Sequence, residues 1–265
     1  MQYVVVALFV ASAPATAKDL AVTESETAAL ELALNRGLAI YRYDQAAWHT
    51  TDTMLKDVKD PRAAGVRGWV VTKVDGGHLT TFWAPQGDGF RGVYSAIWTG
   101  SKVIDRKVLT PEESALTKEQ AELIRAQQAA DANGLQRCGK APFNTVVLPP
   151  EKAGDPVLVY FLTPQTTLTS IPMGGHYRFA VKEGKILEQR GFTKSCLELP
   201  FGKAEGNKGK PEALMVSHLL DPVPTEIHVF SVFASRLPIY VATASNDHLW
   251  SVEISGGQPR ARVIK

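Results

Sequence analysis

Residues 69–83 read WVVTKVDGGHLTTFW, and this stretch decides the fold. Two β-rich runs, 69–74 and 78–83, flank Asp75-Gly76-Gly77, and glycine readily takes the positive φ that short hairpin turns require. A second pair of runs, 93–98 and 103–109, is joined across Gly100-Ser101 in the same way. Four consecutive strands linked by short turns make an antiparallel meander.

Upstream of the meander, Thr23-Glu24-Ser25-Glu26 is a capping box: the Thr oxygen faces the first helix amides and the Glu reaches back to the cap. It predicts a helix over 24–36, with Gly37 as a left-handed stop. Residues 40–43 and 46–51 then read as strand-like, with Trp48 the bulky member. Downstream, Thr110-Pro111-Glu112-Glu113 and Thr117-Lys118-Glu119-Gln120 are successive start signals for a second helix over 112–132, which Asn133-Gly134 would stop. Ala121, Ile124 and Ala129 give it a narrow apolar face, suited to lying on a sheet.

Beyond that helix the pattern returns to strands at 145–148, 157–162, 176–182, 185–192, 214–219, 227–233, 239–244, 249–254 and 260–264. The runs 229–233 and 239–242 are almost continuously apolar, as expected of strands covered on both faces. Short antiparallel strands with two main helices, near 24–36 and 112–132, place the chain in the α+β class. The helix-then-strands order suggests two parts, 18–110 and 111–265; one continuous unit over 18–265 is the alternative.

At the amino end, residues 3–10 are almost wholly apolar and 11–17 turn to small residues, with Ala15-Thr16-Ala17 matching the A-x-A cleavage pattern. Residues 1–17 therefore read as a signal peptide, and the working protein is expected to start near Lys18 in the periplasm or outside the cell. A spanning helix needs roughly 20 apolar residues; Pro14 cuts this run short, so no stable membrane span is expected after cleavage. With 29 Lys plus Arg against 27 Asp plus Glu, nothing marks a nucleic-acid or anionic-membrane surface. Cys138 and Cys196, an even pair in an exported chain, predict a disulfide worth about 4 kcal/mol on the chain-entropy account. A reactive thiol at Cys196, beside Lys194 and Ser195, is the alternative. GKAEGNKGKP, residues 202–211, cannot bury apolar area and reads as a solvated surface loop.

The chemistry-bearing local motifs are absent: no G-x-S-x-G, H-E-x-x-H, G-x-x-x-x-G-K-[ST], S-x-x-K or C-x-x-C occurs. The most suggestive segment is Gly174-Gly175-His176-Tyr177-Arg178. Two glycines let a ligand approach the backbone, His176 titrates near neutral pH, and Arg178 can pair with an anion. Strand alternation puts His176 and Arg178 on one face, which makes them candidate ligand-binding residues with Gly174 and Gly175. The plainer alternative is a turn whose polar side chains satisfy their neighbours. Six histidines, at 49, 78, 176, 218, 228 and 248, match no metal spacing, so neither a metal nor a cofactor is expected. Asp247-His248 could join a serine in a triad, but no serine stands on a recognisable elbow. Trp48, Trp69, Trp83, Trp98 and Trp250, with Tyr41, Tyr43 and Tyr94, are expected in the core; several exposed on one face would mark a binding cleft.

The first functional expectation is an exported, non-enzymatic protein that binds a small molecule, peptide or envelope component. A hydrolase using His176 as acid or base, with Arg178 holding an anionic group, is the second. A scaffold in an envelope assembly is the third.

Overall fold

The computed structural model describes residues 21–130, 134–202 and 211–265. The signal-peptide reading of 1–17, the helix stop at Asn133 and most of the glycine-lysine loop fall outside them.

Helix α1 spans Glu24–Asp57. Its start is the predicted capping box: the Thr23 oxygen accepts the Glu26 N–H at 3.2 Å, and Glu26 Oε2 accepts the Thr23 N–H at 2.9 Å. Its length corrects the sequence reading, because Gly37 does not end the helix and residues 40–43 and 46–51 are helical. Leu30, Ala33, Gly37, Ile40, Tyr43, Ala47, Thr50 and Met54 are all buried and recur every three or four residues, so one apolar stripe runs unbroken through Gly37. The glycine is there for a close crossing. A Cβ at position 37 would lie 2.7 Å from the carbonyl oxygen of Glu226 and closer still to Val229, both on another helix.

The meander forms as read. Strands β1 (Gly68–Val74), β2 (Gly77–Gln86), β3 (Gly89–Trp98) and β4 (Val103–Val108) pair antiparallel in sequence order, with Gly76 at φ 79° in the first hairpin turn. Of the two start signals that follow, the first opens a single 3-10 turn at Pro111–Glu113 and the second caps α2, Lys118–Ala129. A second sheet holds β5 (Asn144–Leu148), β6 (Val157–Leu162), β8 (Tyr177–Lys182) and β9 (Lys185–Gly191), all antiparallel. Between β6 and β8 the chain makes the short β7 (Ser170–Pro172), which pairs with β10 (Glu198–Pro200).

The third sheet, β11 (Leu214–His218), β12 (Ile239–Thr243), β13 (His248–Ser255) and β14 (Gln258–Val263), brings a second correction. Residues 227–233 are not a strand; they lie in helix α3, Glu226–Ser235. An apolar run buried on every side has no period to distinguish helix from strand, and Ile227, His228, Val229, Ser231, Val232 and Phe233 are all buried. The helix also explains why β11 and β12 pair parallel, since parallel neighbours need a crossover between them.

The result is an α+β fold with mostly antiparallel sheets. Helix α1 ties the parts together. Leu30 packs with α3 and the third sheet, Ile40, Tyr43 and Ala46 with the second sheet, and Met54 with Phe82 and Tyr94 of the meander. Tyr41 stacks on Phe233 with ring centres 4.9 Å apart. Since Gly37 faces Glu226 and Val229 while Tyr41 faces Phe233, α1 and α3 run in the same direction. Cys138 and Cys196 form the expected disulfide. Among the described residues, no helix is long and apolar enough to cross a membrane.

An exposed helical glycine usually gains stability when replaced by alanine. Here Gly37→Ala is expected to lose about 2 kcal/mol by overpacking against Val229 and Glu226. Urea denaturation should show a lower midpoint with an unchanged slope.

Candidate binding groove

The Gly174-Gly175-His176-Tyr177-Arg178 segment is largely buried, and the His176 ring and the terminal nitrogens of Arg178 are engaged. Gly174 and Gly175 are buried beside the disulfide: a Cβ on Gly174 would stand 2.6 Å from the Leu197 nitrogen, and one on Gly175 2.7 Å from Thr163 Oγ1 and nearer still to Cys138 Sγ. Gly175 also sits at φ 73°, which L side chains resist. The double glycine thus lets the Cys138–Cys196 region close onto the start of β8.

His176 is 1% exposed. Its Nδ1 accepts the Thr163 N–H at 3.2 Å, and its Nε2, 3.1 Å from the Pro172 carbonyl oxygen, therefore carries the hydrogen and donates it. Both ring nitrogens are used. Burial pulls its pKa down to about 4, partly offset by the Pro172 bond, so the ring is neutral at physiological pH.

Arg178 faces the same side of β8 but belongs to a different network. Its Nη1 donates to Glu226 at 2.8 Å, and its Nη2 reaches both Glu188 oxygens at 3.0 and 3.1 Å. The Tyr160 hydroxyl donates to Glu226 at 3.2 Å; burial, then the Glu226 charge, hold its pKa well above the ordinary value, so it stays protonated. This network joins α3 to the second sheet.

Three more histidines are similarly absorbed. His218 Nε2 lies 2.7 Å from Asp221, which also takes Arg190 at 2.5 Å. His228 Nδ1 accepts the Thr225 N–H at 3.0 Å, an N-terminal cap for α3 in which imidazole takes the place of the usual Glu. Burial, with His218 nearby, lowers the His228 pKa to about 3. His248 Nδ1 meets the Asn246 amide at 3.3 Å. Among the described residues, no three His, Cys, Asp or Glu side chains are placed to hold a metal ion.

The aromatic residues divide. Trp83, Trp250 and Tyr94 are core, and His49 stacks on Trp98 with ring centres 3.9 Å apart. Trp48 is 58% exposed. With Tyr41, Trp69, Phe230 and Phe233 it lines an open groove of about 690 Å³ between α1, α3, the start of β5 and the segment from Thr163 to Leu168. The volume lies within the range typical of small-molecule sites. Leu168, 91% exposed, stands at its edge.

No protein-family description, curated protein or solved structure matches this chain. Its chemistry is therefore read from its own geometry.

Among the described residues two charged side chains line the groove, Asp44 from α1 and Arg236 from the C-terminal cap of α3. Arg236 is exposed; Asp44 is only partly so. Burial raises the Asp44 pKa to about 6, partly offset by a hydrogen bond with the Gln45 side chain. The carboxylate is thus ionised at neutral pH yet poorly solvated.

The predicted residues touch the groove from behind. Thr163 and Pro172 both line it, and His176 bridges one to the other, while Thr163 Oγ1 lies 2.9 Å from the carbonyl oxygens of Gly174 and Gly175. Asp44 falls between the two runs that read as strand-like, 40–43 and 46–51, so no strand pattern singles it out. Tyr41, Asp44, Gln45, Trp48 and Thr51 share a face only at helical spacing.

Two stability measurements probe this arrangement. Arg178→Met should cost about 3–5 kcal/mol, because it strands Glu226 as a buried charge, and adding Glu226→Gln should recover a substantial part in a double-mutant cycle by urea denaturation. For Asp44, the folded-state pKa lies above the unfolded one, so ionisation costs stability above about pH 6 and the cost fades toward pH 4. Asp44→Asn should therefore stabilise the protein by about 1–2 kcal/mol near neutral pH and by nothing near pH 4.

Proposed function

We propose that this is a binding protein rather than a catalyst, working outside the reducing cytoplasm, and that the groove between α1 and α3 is its ligand site. The observation that carries the reading is the exposed Trp48 lining, with Phe230 and Phe233, a cleft of about 690 Å³. Large rings facing water bring apolar area that a ligand can cover, at about 25 cal/mol per Å². The disulfide supports an oxidising compartment, in keeping with export to the periplasm or beyond. The sequence-based candidates Gly174, Gly175 and His176 serve this site indirectly: they hold Thr163 and Pro172, which form part of its wall. Arg178 supports it at one remove, by anchoring α3 through Glu226.

The hydrolase alternative finds less support, since His176 has no ring nitrogen left for a substrate proton. A scaffold role has no observation that favours it over ligand binding.

Screening aromatic small molecules by thermal shift tests the proposal, because a ligand at 100 times its dissociation constant stabilises by about 2.7 kcal/mol. Trp48→Ala removes a mostly exposed ring, so its melting temperature should stay close to that of the native protein while its ligands bind at least about tenfold more weakly. Ligands that bind the variant undiminished would place the site elsewhere.

A further inference from the structure

We infer that the groove recognises an organic cation joined to an aromatic or apolar body, with the ammonium group against Asp44 and the body among Trp48, Tyr41 and Phe230. The inference rests on the groove being the ligand site and names the class of ligand it takes.

The charge distribution carries the argument. Asp44 sits at mid-helix between Tyr41 and Trp48, flanked by rings one turn away on either side. The other described polar groups that line the groove include Gln45 from α1, Asn144 and Thr145 from β5, and Gln165 and Thr166 from the following segment, none of them charged. The exception is Arg236 from α3, which is exposed at the groove's margin, where water and salt screen it. No cation forms an ion pair with Asp44 among the described residues, whereas Asp57, Glu113, Glu151, Glu188, Asp221 and Glu226 all have one.

A carboxylate drawn partly out of water without a cationic partner is costly, and an arriving ammonium reduces that cost. Aromatic faces add to the preference, because their quadrupole attracts cations. An anionic ligand would meet the Asp44 charge in the same poorly solvated space. Burial also raises the Asp44 pKa to about 6; cation binding favours the ionised form, so affinity for a cation should fall as pH drops below that value.

The test uses three probes of nearly equal shape: 2-(1-naphthyl)ethylammonium, 2-(1-naphthyl)ethanol and 3-(1-naphthyl)propanoate. Binding to the full mature chain is followed by quenching of tryptophan fluorescence, since Trp48 and Trp69 line the groove. At about pH 7.5 the ammonium should bind at least about tenfold tighter than the alcohol, and the carboxylate more weakly than either. Asp44→Asn should bring the ammonium to within about twofold of the alcohol, while Asp44→Glu should keep the preference. At about pH 5 the native protein's preference should shrink toward that of Asp44→Asn. The comparison of probes on the native protein stands even if a variant folds poorly. Equal affinity for ammonium and alcohol would overturn the cation inference and leave the groove reading intact; failure of all three probes to bind would overturn both.

Discussion

The structure depends on one crossing. At Gly37 the long helix α1 comes so close to α3 that no side chain fits between them, and the residue it meets, Glu226, is the one that binds α3 to the second sheet through Arg178 and Tyr160. Three elements are fixed by two adjoining contacts of different physics. The first is close packing, in which any added volume forces displacement. The second is a buried charge network that tolerates loss of neither partner. With α3 held there, its remaining apolar surface packs against the third sheet, so the parallel step from β11 to β12 follows from where the helix must lie.

This crossing also explains which parts of the fold were legible in the sequence. The meander could be read because its signals are local: alternating side chains on either side of Asp75-Gly76-Gly77 determine a hairpin with little help from the rest of the chain. Gly37 was misread because a glycine after a helical run has two physical uses, a left-handed stop or a close approach, and only the partner helix decides between them. The buried stripe from Leu30 to Met54 is the signal that would have decided it, since its three-four spacing continues past the glycine. Residues 227–233 offered no such period. There the usable signal was Pro224-Thr225-Glu226, followed by His228 in a capping position normally held by Glu or Gln.

The candidate site was legible only from its rear. Gly174, Gly175 and His176 stood out in the sequence for their residue types, and the structure gives those types a packing reason: glycines against the disulfide segment, and an imidazole that both accepts and donates between two backbone strands. A neutral histidine suits that task because it alone among side chains of its size offers one acceptor and one donor at opposite edges of a rigid ring. The disulfide, the glycines and His176 together determine where the chain leaves β6 at Thr163 and returns at Pro172, which is what holds this side of the groove open.

The other side of the groove breaks the rules the rest of the molecule obeys. Elsewhere among the described residues the buried charges are paired and the large rings are covered, as with Glu226 by Arg178 and Tyr94 by Phe82 and Met54. On the face of α1 from Tyr41 to Thr51, a ring stands in water and a carboxylate stands half out of it. Both departures cost stability, and both fall within one helical turn of each other on the rim of the same cleft. A sequence shaped only by folding would have little reason to place Asp at position 44, where Asn of almost equal size would avoid the desolvated charge. Local departures of this kind are expected where a surface is shaped for something other than folding. Their coincidence at the groove, rather than at the buried histidine that the sequence made conspicuous, is what supports the proposed ligand site on the front of α1.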